Sequence, residues 1–305
     1  MMSVLARSSV TYDCLIDGDL TILTMTSLRS FIITLAKTGG AIAREQFLAM
    51  SRQETRKEVR IKADRDYVSQ ADALVENAII QKIHQQYPQH HVLGEESGSS
   101  GQRLNGDALW IIDPIDGTTN FIHGIAQFAV SIAFCDAQGP VVAVVYDPIA
   151  EELFFGERGQ GLWLNHDARR TSACANLRSA LVATAMPFRS PAVHEPALQV
   201  FGAVQQACDD QRRAGAASLD LAYVAVGRLD AYYELGIHPW DTAAGELLVR
   251  CGGGVATDYR GSVDALLLRR SIVAAATSPL HTELLAHVTP LAPWLDRAPF
   301  VAVSQ

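Results

Sequence analysis

Leu28, Phe31, Ile32 and Leu35 recur at intervals of three and four residues, and the stripe continues through Ile42 and Phe47. That period predicts an amphipathic helix beginning near Ser27, weakened at Gly39-Gly40, where the missing side chains permit a close neighbour. A polar stretch from Ser51 to Asp66 follows, then a second helix opening near Ser69 and ending at Tyr87-Pro88. Val92-Leu93 makes a short strand with Gly94-Glu95-Glu96-Ser97 at its end, and Ser97 to Asp107 reads as a Gly- and Ser-rich loop. The run Ala108-Leu109-Trp110-Ile111-Ile112 is apolar without alternation, as in a strand buried on both faces. Pro114 is expected to end it, since it offers no backbone donor and biases its predecessor toward extended backbone.

Beyond it the pattern predicts an antiparallel meander: Phe128 to Cys135, a turn at Asp136-Ala137-Gln138-Gly139, Val141 to Tyr146, and Glu152 to Phe155. After about Ala180 strands and helices alternate. Helices are expected at Pro196 to Cys208, Leu219 to Val226 and Trp240 to Cys251, the last stopped by Gly252-Gly253-Gly254, and a strand at Ala231 to Glu234. A mixed α/β fold in two halves, sheets layered with helices, is the most economical architecture. The halves are expected at 27–180 and 181–305, with 1–26 an N-terminal extension, disordered or untranslated, and Met25 a candidate start of translation.

Composition narrows the function. The chain has 305 residues, 49% hydrophobic and 19% charged, enough for a substantial core. A formal net charge of -8 argues against direct binding of nucleic acid, which calls for clustered Lys and Arg. Cys14, Cys135, Cys174, Cys208 and Cys251 show no ligand spacing and read as reduced thiols of a cytoplasmic protein. His90-His91 lacks zinc spacing and reads as a solvated turn after Pro88. No signal peptide and no membrane span is expected.

The most informative chemistry is Asp113-Pro114-Ile115-Asp116-Gly117-Thr118. Two carboxylates leave one strand end together, which is costly unless a cation shares them. All-oxygen ligands suit Mg²⁺ or Mn²⁺. Gly117 allows close backbone approach, and Thr118-Thr119 read as the start of a helix whose N–H groups attract phosphate. Taken alone, the same six residues have a second, less favoured reading, a helix cap after a tight turn. Asp241, after Pro239-Trp240, could be a simple N-cap, Glu95 and Glu96 a polar loop, and Asp72 a surface residue. Their shared placement at strand ends and helix starts is the layout of a site spread over loops.

The order of these segments resembles the inositol monophosphatase family, within the lithium-sensitive, Mg²⁺-dependent phosphatase superfamily. The matching text is Lys62-Ala63-Asp64-Arg65-Asp66-Tyr67-Val68-Ser69-Gln70-Ala71-Asp72, Gly94-Glu95-Glu96-Ser97 and Trp110 to Phe121, then Asp230-Ala231-Tyr232-Tyr233-Glu234 and Trp240 to Glu246, and the resemblance runs from about Leu28 to the last helices. It implies an alternating α-β-α-β-α sandwich like that of fructose bisphosphatases, and a homodimer. It implies that Glu95, Asp113 and the carbonyl of Ile115 bind one Mg²⁺, that Asp113, Asp116 and Asp241 bind a second, and that a third sits near Glu95. Asp72 and Thr118 would relay a proton from a metal-activated water that attacks a phosphate monoester in line, and Li⁺ would inhibit. Gly117 and Thr118 would hold phosphate oxygens, while Arg212, Gly215, Ala216, Ala217 and Glu234 would line the alcohol pocket. Many relatives carry Ser or Thr where this chain has Ala216, which puts strict inositol specificity in question.

Inositol 1-phosphate is the expected substrate, with a broad range open. The alternatives are a superfamily phosphatase for nucleotides, histidinol phosphate or fructose bisphosphate, and a transcription-associated binding protein, since some bacterial relatives associate with that machinery. Asn120-Phe121-Ile122-His123-Gly124 resembles the inositol type, and nucleotide-type relatives commonly carry a Lys after the Gly of this motif. His123 and His238 read as loop residues that pack locally, and Trp240 as an anchor for the helix of Asp241.

Overall fold

In the computed structural model, which describes residues 11–12, 23–52, 60–63, 66–68, 70–100, 108–187, 190–263 and 270–297, the apolar runs become two sheets interleaved with three helical layers. Strands β1 (Thr11–Tyr12) and β2 (Leu23–Thr24) pair within the N-terminal extension, and α1 spans Met25–Arg52. The polar stretch before the second helix contains strand β3 (Arg60–Ala63), which pairs with β4 (Asp66–Val68). Helix α2 (Gln70–Gln86) leads to β5 (His91–Gly94) and β6 (Gly98–Ser100), so the Gly- and Ser-rich segment opens as a strand; residues 101–107 lie outside the described part.

The meander forms as expected: β7 (Leu109–Asp116), helix α3 (Thr118–Ile122), then β8 (Ala129–Asp136), β9 (Gly139–Asp147), β10 (Glu152–Glu157), β11 (Gly161–Leu164) and β12 (Asp167–Arg169). These make an eight-stranded sheet in the order β12-β11-β10-β9-β8-β7-β5-β6. The chain continues through β13 (Leu181–Thr184), α4 (His194–Ala207), β14 (Asp210–Arg212), α5 (Ala217–Ala225), β15 (Ala231–Leu235), α6 (Pro239–Cys251), β16 (Val255–Thr257), β17 (Ser271–Ala275) and α7 (Ser278–Val288). The second sheet has the order β14-β13-β15-β17-β16.

Side-chain alternation explains why whole strands are apolar. In β7, Leu109 and Ile111 enter a central core shared with α5 and α6, whereas Trp110 and Ile112 enter an outer core with α1 and α2. In β17, Ile272 and Ala274 face the central core, and Val273 and Ala275 a third core with α4 and α7. The layers are therefore α1/α2, sheet, α5/α6, sheet, α4/α7. A strand covered on both faces shows no polar alternation. Among the described residues no helix is long and apolar enough to cross a membrane, and Cys135, Cys174, Cys208 and Cys251 are free thiols.

Two expectations fail here. Pro114 does not end the strand, because β7 and β8 lose register between Asp113 and Asp116. The proline sits in a bulge, where no ladder donor is required. His90 is no solvated turn residue: it stacks on Tyr87 with centroids 5 Å apart to the nearest ångström (4.7 Å) and its Nδ1 accepts from Trp110 Nε1 at 3.0 Å. Burial, and secondarily the charge of His91, push its pKa down to about 4.

Close helix packing rests on particular glycines. A Cβ on Gly245 would lie 2.5 Å from Leu221 Cβ, and one on Gly40 2.5 Å from the Tyr146 ring. Gly245→Ala is expected to force α5 and α6 apart and destabilise the protein by about 1–3 kcal/mol, read as a lower urea midpoint at unchanged m-value. An unchanged midpoint would mean that the helices have slack there.

Candidate active site

Asp113 and Asp116 are three residues apart, which in a regular strand puts side chains on opposite faces. The bulge corrects this. Asp113 pairs with Ser131 and Asp116 with Ala129, so β7 advances three residues while β8 advances two. One carboxylate oxygen from each of Asp113, Asp116 and Asp241 then lies within 4.8 Å of the others. Asp113 Oδ1 accepts the Ile115 N–H at 3.1 Å, and Thr118 Oγ1 donates to the Ile115 carbonyl at 3.1 Å. Gly117 takes φ 94°, a backbone region that favours glycine, and serves as the N-cap of α3. A Cβ there would meet Gln127 O at 2.8 Å.

The second half of the chain fixes Asp116. Its Oδ2 accepts from Ser218 N at 2.7 Å and Ser218 Oγ at 2.6 Å, and its Oδ1 from Ala217 N at 3.2 Å. Asn120 Nδ2 donates to the carbonyls of Gln127 and Ala214 at 2.8 and 2.9 Å, tying α3 to the loop before α5. Asp241 is not the N-cap of α6, as expected, but its N3 residue. His238 is the cap, and Asp241 Oδ2 accepts the His238 N–H at 2.7 Å in a capping box. His238 also stacks on Trp240, at 4.8 Å and 4°.

These elements meet in one cleft of about 910 Å³. Glu95, Asp113, Ile115, Asp116, Gly117, Thr118, Gly215, Ala216, Ala217, Glu234 and Asp241 all line it, with His123, His238 and Trp240. Arg212 does not. It ends edge strand β14 as an exposed side chain paired with Asp210, and the next residue, Arg213, just past the strand, lines the cleft instead. Asp72 is buried in the first turn of α2 rather than on the surface, and its charge contributes to the field at Asp113.

Sequence reasoning missed three supporting residues. Buried Glu76 accepts the backbone N–H groups of Glu96 and Ser97 at 3.0 and 2.8 Å, holding the turn that carries Glu95. A Cβ on Gly94 would overlap its carboxylate. The available signal was an acid on the buried stripe of α2, among Asp72, Val75, Ile79 and Ile83. Ser218 gave no motif signal. Buried Asp220 also lines the cleft, near Glu234, whose carboxylate accepts a hydrogen bond from Tyr232.

The field matches the geometry. Burial, then the charges of Glu95, Asp116, Asp241 and Asp72, raise the Asp113 pKa well above the usual carboxylate range. Asp116 rises to about 7 through burial and the charge of Asp241, opposed by the donors of Ser218 and Ala217. Burial and the charges of Asp116 and Glu234 also raise Asp220. Repulsion on this scale is relieved by protons or by a cation, and an all-oxygen donor set suits a hard divalent ion. The three aspartates could hold a metal.

The chain is similar to known proteins in sequence and in fold. The chain is 45% identical over 206 residues to the Nus factor SuhB of Escherichia coli (strain K12), covering 68% of this chain and 77% of that protein. It is 43% identical over 238 residues to the Nus factor SuhB of Pseudomonas aeruginosa, covering 76% and 87%. Among solved structures, the extragenic suppressor protein suhB of Bartonella henselae superposes with a TM-score of 0.78 at 35% identity, covering 86% of this chain and 98% of that one. The inositol monophosphatase of Anabaena (Nostoc) sp. PCC 7120 gives 0.74 at 31% identity, covering 88% and 99%. With the family's sequence model matching residues 24–291, the chain belongs to the inositol monophosphatase family.

Proposed function

We propose that this chain is a Mg²⁺-dependent phosphate monoester hydrolase whose preferred substrate is inositol 1-phosphate. The observation that carries the reading is the cluster of Asp113, Asp116 and Asp241 lining one cleft, with its mutual repulsion. Glu95, Asp113, the Ile115 carbonyl, Asp116 and Asp241 would hold two or three Mg²⁺, with Mn²⁺ as a substitute. When bound, such ions neutralise the phosphate and lower the pKa of water. The chain's own residues do the rest. Backbone N–H groups of Gly117 and Thr118 hold phosphate oxygens. The Thr118 hydroxyl turns from the Ile115 carbonyl to pass the water's proton toward Asp72. The new P–O bond forms opposite the alcohol, whose P–O bond breaks, and the alkoxide takes up a proton from a solvent water in the open cleft, while Asp72 returns its proton to solvent. Glu234, oriented by Tyr232, accepts a substrate hydroxyl.

Thr118→Ala is expected to lower kcat about 100-fold with little change in KM, since proton transfer of this kind contributes roughly 10²–10⁴-fold. A proportional rise in KM instead would assign Thr118 to ground-state binding. The reading as a whole is tested by a phosphate-release screen over inositol 1-phosphate, glycerol 2-phosphate, histidinol phosphate, a nucleotide and fructose 1,6-bisphosphate, with Mg²⁺, with chelator and with Li⁺. Release only with Mg²⁺, greatest for inositol 1-phosphate and reduced by Li⁺, is expected. Turnover in excess chelator contradicts it. A cleft of about 910 Å³ and the methyl of Ala216 support a range of alcohols.

A second reading, association with transcription machinery, rests on the Nus factor names of the two relatives. It is compatible with catalysis. Pull-down from cell extract with wild-type protein and a metal-site variant tests it, and the acidic composition favours a protein partner over nucleic acid.

A further inference from the structure

Ser218 joins two parts of the molecule that its sequence position does not connect. It is fully buried near the start of α5, 102 residues from Asp116, and it donates twice to one oxygen of that carboxylate, from its backbone N–H at 2.7 Å and from its hydroxyl at 2.6 Å. Ala217 N takes the other oxygen at 3.2 Å. A carboxylate with three donors on one side has its plane and its free lone pairs fixed. Asp116 cannot rotate about its terminal bond without breaking at least one of these bonds in a buried setting, where an unmade hydrogen bond is costly. The bulge of β7 sets the side on which Asp116 stands, and the donors of α5 set the rotation of the carboxylate whose oxygen lies within 4.8 Å of Asp113 and Asp241.

The local sequence leaves few other ways to set it. Asp116 stands at the end of a bulged strand beside Gly117, at φ 94°. The side chain at the loop position before α5, Ala216, is a methyl and donates nothing. Of the donors to Asp116 among the described residues, the Ser218 hydroxyl alone belongs to a side chain.

We propose that Ser218 is a positioning residue for the divalent-metal site: its hydroxyl locks the Asp116 carboxylate in the orientation that accepts the cation, so that metal affinity depends on a side chain that never touches the metal. This rests on the metal-dependent reading above. Groups that orient metal-binding side chains typically account for 10–100-fold in affinity.

The test is the Mg²⁺ titration of the full chain, followed by calorimetry and by the rise in melting temperature, for wild type, Ser218→Ala and Ser218→Cys. The expected result is a half-saturating Mg²⁺ concentration about 10-fold or more higher in Ser218→Ala, with Ser218→Cys between it and wild type because a thiol is a weak donor. Phosphate release by Ser218→Ala should recover toward the wild-type rate at saturating Mg²⁺. A merely structural serine lowers the metal-free melting temperature and leaves the Mg²⁺ midpoint where it was, and that outcome overturns the proposal. Equal midpoints for Ala and Cys variants and wild type overturn it as well, even if all three turn over substrate. If wild type itself takes up no Mg²⁺ or Mn²⁺, the metal-dependent reading fails first and the proposal falls with it. Should Ser218→Ala fail to fold, the near-isosteric Cys variant carries the same comparison alone.

Discussion

Asp113→Asn is expected to reduce Mg²⁺-dependent phosphate release by about 10³-fold or more, equivalent to roughly 4 kcal/mol of transition-state stabilisation. Asp113 sits at the centre of the acidic field: Glu95, Asp116, Asp241 and Asp72 all act on it, and burial adds to their effect. An amide is nearly the same shape and keeps an oxygen for the Ile115 N–H, which Asp113 now satisfies at 3.1 Å. What it loses is the negative charge that a shared cation requires. The same substitution is expected to raise the melting temperature of the metal-free protein, because it removes a buried charge that is repelled by its neighbours. Activity and metal-free stability should therefore move in opposite directions. Loss of both would point instead to a role for Asp113 in the fold.

The second large effect is in the pH dependence of stability. Asp116 has a pKa of about 7 in the folded chain, and Asp113 is raised well beyond the usual range, both chiefly by burial. Unfolded carboxylates release their protons near pH 4. Between about pH 4 and pH 7 the folded state of the metal-free protein thus holds more protons than the unfolded one, so stability falls as pH rises through that window. Its lower edge is the unfolded pKa, and its upper edge is set by Asp116. Divalent ions replace the protons. The rise in melting temperature on adding Mg²⁺ is expected to be small at pH 5 and to grow steadily to pH 8, where the buried carboxylates have lost their protons and a cation takes their place. Thermal scans in Mg²⁺ and in chelator at four or five pH values measure it. An increment independent of pH would separate the metal from these carboxylates.

Both predictions depend on carboxylates that are conspicuous in the sequence and on an arrangement that is not. The motif Asp113 to Thr118 and the segments around Glu95 and Asp241 are legible as candidates because carboxylates set beside apolar runs and helix starts are conspicuous along the chain. Helices and strands are legible for a related reason: Leu28, Phe31, Ile32 and Leu35 keep helical period whatever they pack against. Where reading along the chain failed, a distant partner had altered the local rule. Pro114 continues a strand because β8 tolerates a bulge opposite it. His90 is held by Trp110, 20 residues away. Arg212, expected in the pocket loop, instead ends a strand and pairs with Asp210, and Arg213 lines the cleft.

The sequence by itself determined most of the helices and strands and the mixed α/β class, which follow from side-chain period, while the five layers were an expectation from the family resemblance and the acidic residues were candidates by their chemistry. Only the tertiary structure decided that Asp113 and Asp116 share one side of β7, that Glu76 holds the turn of Glu95, and that Ser218 holds Asp116. Each of these is a matter of register or of contact across 20 to 102 residues. A one-residue change in register turns a strand's side chains to the opposite face, and no local pattern records where that residue is inserted.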